Sequence, residues 1–152
     1  MANLVRFTSP EIELADVGEG FSRADLEFEG VDHSGSTYEA RVYLNNPEAN
    51  GDTEPTDDNG YAGSYYVFGH GGCYGDQGHC DVVERSPYDP RPPHGLLPTR
   101  KVVIATEAVT RAASQGNALS ITVVPILMST TEKVPEDETI PSFTSASLIT
   151  YQ

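Results

Sequence analysis

Within eleven residues the segment His70-Gly-Gly-Cys73-Tyr-Gly-Asp-Gln-Gly-His79-Cys80 collects two of the chain's four histidines and both of its cysteines. Three chemistries fit that set. Cys73 and Cys80 are candidates for a disulfide closing a small loop, worth about 2–3 kcal/mol if unstrained. Alternatively, His70, Cys73, His79 and Cys80 wrap one zinc or copper ion, because a tetrahedral Zn²⁺ or Cu⁺ accepts mixed imidazole and thiolate donors. Gly69, Gly71, Gly72, Gly75 and Gly78 let the backbone turn tightly around such an ion. The spacing H-x2-C-x5-H-C is not a zinc-finger pattern, and the adjacent His79 and Cys80 diverge unless the backbone bends. In the third chemistry a reactive thiol is the nucleophile and a nearby histidine its base, but no oxyanion or substrate-positioning motif accompanies it.

A second group of donors lies at Asp52, Glu54, Asp57, Asp58 and Asn59, oxygen ligands of the kind calcium takes. Their spacing does not reproduce the twelve-residue calcium loop with its terminal Glu, so a solvated turn-rich loop is the competing reading. Other catalytic signatures are missing: there is no G-x-S-x-G elbow, no phosphate-cradling Gly-Lys-Ser/Thr loop and no H-E-x-x-H. A structural role, not catalysis, follows as the expectation.

The elements that must position these residues are mostly β. Ile12 to Val17 is a β-like run closed by Gly18 and Gly20. Ala24 to Phe28 alternates, with Leu26 and Phe28 on one face and Asp25, Glu27 and Glu29 on the other, predicting a half-buried strand. After an Asp32-His-Ser-Gly35 turn, Tyr38, Ala40, Val42 and Leu44 alternate with Glu39, Arg41 and Tyr43, so the two runs predict an antiparallel hairpin. Residues 45–60 read as a long exposed loop. Tyr61 to Phe68 is the most β-prone stretch, and the histidine–cysteine loop hangs directly from it. Five prolines (Pro87, Pro90, Pro92, Pro93 and Pro98) exclude a helix or central strand in 81–99, so residues 69–99 form a Gly/Pro-rich loop region in which His94 caps or packs locally.

Further on, Lys101 to Ala105 is a short strand, and Thr106 is placed to N-cap one short helix over about 107–115, ended by Gly116. Ala118 to Met128 and Phe143 to Tyr151 complete the strands, with a second exposed loop at 129–141. About six to eight strands, one helix and long connections predict a mostly β, antiparallel sandwich of jelly-roll-like form over residues 1–152 as a single domain. At 152 residues, with eight Tyr and five Phe as core anchors, one core is expected.

Net charge bounds the partners. With 23 acidic and 9 basic side chains, a charge of −14 repels phosphate backbones and anionic lipid, which argues against nucleic acid. No run of about 18 apolar residues occurs, which argues against membrane insertion. The start, MANLVRFTSPEIELADV, lacks the basic-then-apolar layout of a signal peptide, while an even cysteine pair in a Gly-rich loop favours an oxidising, extracellular setting over the cytoplasm.

Four segments, in order, resemble the β-sandwich domain that follows the copper domain in tyrosinases and polyphenol oxidases. Tyr38-Glu-Ala-Arg-Val-Tyr-Leu-Asn-Asn-Pro47 is similar to that family's Lys-Phe-Asp-Val-Tyr-Val-Asn strand, and Tyr61-Ala-Gly-Ser-Tyr-Tyr-Val-Phe-Gly-His70 to its Phe-Ala-Gly-Ser-Phe-Val-Asn-Leu-Pro-His segment. Lys101-Val-Val-Ile-Ala-Thr-Glu-Ala-Val resembles its strand-then-helix, and Leu119-Ser-Ile-Thr-Val-Val-Pro125 its Val-Thr-Leu-Val-Pro strand. The resemblance spans Ile12 to Tyr151, and the His/Cys loop looks like that of bacterial members. It implies a domain that shields a type 3 copper site until activation or helps the copper domain fold. It does not imply oxidase activity, because a type 3 pair needs six histidines on helices and this chain has four histidines in all. The partners it implies are a tyrosinase-like copper domain or, if the sandwich has become a free-standing subunit, copies of itself. In the second case strand exchange would donate the arm Met1 to Val17, or edge strands would pair.

Overall fold

The structure is a computed structural model that describes residues 3–17, 20–71, 75–128 and 138–152. Two antiparallel sheets face each other across one core. The first has the order β11 (Ser145–Tyr151), β4 (Arg23–Val31), β7 (Thr99–Ile104). The second has the order β2 (Phe7–Thr8), β9 (Ile121–Leu127), β5 (Tyr38–Leu44), β6 (Tyr61–Val67). Two short pairings flank them: β1 (Asn3–Leu4) runs parallel to β10 (Thr139–Ile140), and β3 (Ile12–Glu13) antiparallel to β8 (Ala118–Leu119). The expected β-sandwich class therefore holds.

Strand alternation builds the core as a period of two requires. Leu26, Phe28 and Val31 of β4 meet Tyr38, Ala40 and Val42 of β5, Tyr65 and Val67 of β6, and Ile121 and Val123 of β9. Phe28 anchors an aromatic cluster, 4.8 Å from Tyr65 and 5.4 Å from Phe143 between ring centroids, with Phe7 a further 4.8 Å beyond Phe143. The one α-helix among the described residues, α1 (Thr106–Gln115), closes one end by burying Ala108, Val109 and Ala112. No helix among the described residues is long and apolar enough to cross a membrane.

Several expectations are corrected by the structure. The predicted hairpin of the Ala24–Phe28 and Thr37–Leu44 runs does not form: β4 and β5 lie in opposite sheets, and residues 32–37 carry the chain across. Alternation specifies which side chains face the core, and two apolar rows satisfy it equally well by facing each other across the sandwich. The Ile12–Val17 run is a strand only at Ile12–Glu13 and continues as a 3-10 turn, Leu14–Val17. The acidic face of β4 is only partly open to solvent: Glu29 is exposed, but Asp25 is 1% exposed and Glu27 9%. Arg23 donates two hydrogen bonds of 2.8 Å to the Asp25 carboxylate, and Arg100 sits 3.6 Å from Glu27, so burial is offset by pairing.

Thr106 is the first helical residue instead of the cap. Its hydroxyl accepts from the Ala24 N–H (3.1 Å), tying the helix to β4, and Gly116 ends the helix in extended rather than left-handed backbone. The 45–60 loop is mostly exposed, but Ala49 is buried with Tyr43 and Val124, and the Tyr43 hydroxyl donates to the Thr53 carbonyl at 2.9 Å. That loop therefore covers part of the second sheet's outer face. Of the loop expected at 129–141, residues 129–137 lie outside the described residues, while Thr139–Ile140 forms β10. The N-terminal arm docks on its own chain through β1, β2 and β3.

Candidate functional site

β6 delivers the chain to the histidine-bearing loop, and the loop is latched at once to the 33–37 turn. Gly69 N–H donates to Thr37 Oγ1 (3.0 Å) and His70 N–H to the His33 carbonyl (3.1 Å). Gly69 lies so close to the Gly35 carbonyl and Ser36 backbone that no β-carbon fits there. The turn is braced from beneath by Glu138, whose carboxylate accepts from the Ser36 N–H (2.7 Å) and the Ser36 hydroxyl (2.6 Å). A buried serine holding a charge-assisted pair of bonds fixes the crossover between the sheets.

All four histidines converge on this end in two pairs. His33 and His70 stack edge to face with centroids 5.6 Å apart. His33 Nε2 donates to the Leu97 carbonyl (2.8 Å) and His70 Nδ1 to the His33 carbonyl (3.4 Å). In the other pair, His94 Nδ1 accepts from the Leu96 N–H (3.1 Å), so its Nε2 carries the proton and donates to the His79 carbonyl (3.2 Å). His94 thus packs and caps locally with both nitrogens committed. The contribution of His33, 37 residues before His70, had no linear signal. Its pairing depends on the crossover between sheets.

Of the predicted loop ligands, His70, His79 and Cys80 are described and Cys73 lies outside the described residues. No cysteine is free among the described residues. No three His, Cys, Asp or Glu side chains among them converge as a metal site. The oxygen donors of the 45–60 loop do not converge either: Asp57 pairs with Arg111 at 3.0 Å, and Asp52, Glu54 and Asp58 complete no set of three with it. Asp57, Asp58, Arg111 and Gln115 instead help line an open polar cleft of about 300 Å³ against α1.

The proline-rich strap at 81–99 has internal structure. The Arg91 guanidinium forks onto Asp89 (2.9 and 3.0 Å from Nε) and holds that carboxyl below its usual range, while Arg85 donates to the Pro92 carbonyl (2.6 Å). Val82, Val83, Pro93, His94 and Leu97 line an open, largely apolar cleft of about 530 Å³.

No family model and no curated protein matches the chain. Among solved structures it is similar to a recombinantly expressed latent aurone synthase (polyphenol oxidase), with a TM-score of 0.51 and 14% identity over 97% of this chain and 24% of that one. It is similar also to the latent aurone synthase (polyphenol oxidase) from natural source, with a TM-score of 0.51 and 16% identity over 99% of this chain and 26% of that one. The chain spans about a quarter of the length of these structures, and at such identities the likeness is one of fold.

Proposed function

We propose that the chain is a non-catalytic accessory domain of the tyrosinase type, which works by packing against a copper domain and shielding or supporting it. The observation that carries this reading is the coverage: a fold matching nearly all of this chain accounts for only 24–26% of the polyphenol oxidase chains. The order of the four resembling segments supports it, as does a total of four histidines, too few for a type 3 pair. Within that role Cys73 and Cys80 form a disulfide that stiffens the latched loop, which belongs with an oxidising, extracellular setting. Copper or zinc bound through His70, Cys73, His79 and Cys80 is the exclusive alternative, because a disulfide consumes both thiolates.

The test pairs two measurements on the isolated chain. Supplied with Cu²⁺, it should oxidise neither monophenols nor diphenols above the rate of Cu²⁺ in buffer, and it should form a one-to-one complex with a tyrosinase-family copper domain stripped of its own β-domain. Copper-dependent turnover by the chain alone overturns the non-catalytic reading, and failure to bind overturns the packing role.

A further inference from the structure

A sandwich of two open sheets has four edges, and three of them here are blunted. β2 is two residues long. β7 carries Arg100 and Lys101, and its register against β4 shifts between Phe28 and Val31. β6 and β7 close on each other where Gly63, at φ +135°, leaves a β-carbon position only 2.6 Å from Val103 Cγ1. Charges, bulges and short length are the devices by which edges avoid pairing with other chains.

β11 has none of them. It pairs with β4 at seven consecutive positions, Ser145↔Glu29 through Tyr151↔Arg23, without a shift, and among the described residues it neighbours no other strand. From Thr139 to Gln152 there is no charged side chain, although the whole chain carries −14. The like-charge repulsion that keeps copies of so acidic a protein apart is weakest along this strand.

We infer that β11 pairs antiparallel with β11 of a second copy about a two-fold axis, joining two three-stranded sheets into one of six. A register centred on Leu148 sets Ser147 opposite the second copy's Ile149 and Ser145 opposite its Tyr151, neutral pairs with no like charges. The neighbouring β4 strands favour this direction. Glu29 lies beside Ser145 and Arg23 beside Tyr151, where its guanidinium stands 5.6 Å over the ring. The antiparallel arrangement therefore aligns Glu29 of each copy with Arg23 of the other, whereas a parallel one aligns Arg23 with Arg23. Tyr151 on β11 and Val102 and Ile104 on β7 are exposed apolar side chains of the same sheet. This contact leaves the histidine-bearing end uninvolved and does not depend on the accessory role.

Sedimentation velocity across a concentration series tests it on the chain, with I149K and S147K as edge variants and V102K as a control on the same sheet. The wild type and V102K should shift with concentration from 16.4 kDa towards twice that mass. Both edge variants should stay monomeric with unchanged far-ultraviolet circular dichroism. A wild type monomeric at all concentrations overturns the inference, as does dimerisation undiminished in both edge variants or lost in V102K.

Discussion

Tyr38 and Tyr65 enter the core from adjacent strands with 1% and 3% of their surface exposed. Their hydroxyls lie near each other, that of Tyr38 also near the Ser142 backbone, and among the described residues both are buried without a hydrogen-bond partner. Burial raises both phenols, Tyr38 to about 12 and Tyr65 further. A phenol raised in the folded state keeps its proton where the unfolded chain has already lost it, so folding is favoured fully below pH 10 and progressively less above it. Stability should fall between pH 10 and about 12 by about 1.4 kcal/mol per pH unit for each phenol. Urea titrations at pH 8 and pH 11 check this: Tyr65→Phe should be neutral or stabilising by up to about 1 kcal/mol at pH 8 and should flatten the alkaline decline. A steeper decline in that variant contradicts the assignment. The inward position of both tyrosines follows from alternation in the sequence. The surroundings of their hydroxyls do not, because hydrogen-bond partners depend on which strands become neighbours.

At the scale of elements, the histidine–cysteine loop was legible as a loop, and its attachment was not. Its glycines, its prolines and the preceding β-run identify a connection hung from a strand. The latch from Gly69 and His70 onto Thr37 and His33 exists because β4 and β5 sit in opposite sheets, which leaves the 32–37 crossover at the same end as the exit from β6. A hairpin and a crossover share one alternating pattern, so the sequence cannot separate them. The helix behaves similarly: its position was legible, but Thr106 tethers β4 instead of capping. For the loop, a Cys73–Cys80 bond predicts an intact mass about 2 Da below that of the reduced chain and a loss of about 2–3 kcal/mol on reduction, read from denaturant midpoints. An unreduced mass equal to the reduced one, or a native mass carrying one zinc or copper ion, favours the ligand reading instead.

For the whole molecule, alternation was enough to anticipate a mostly β sandwich with one short helix, and the two facing sheets and α1 agree. Function was less legible because the proposed role, packing against another domain, calls for no reacting group that a motif would advertise. The second sheet is partly covered by the chain's own 45–60 loop, packed through Ala49, and the first ends on the uncharged β11 edge. If this sandwich acts by contact with a copper domain, as proposed, cross-linking followed by mass spectrometry on the protein in its native source should give cross-links between the sandwich and a type 3 copper domain, in the same polypeptide or a bound partner. Cross-links found exclusively between copies of the sandwich would contradict that role.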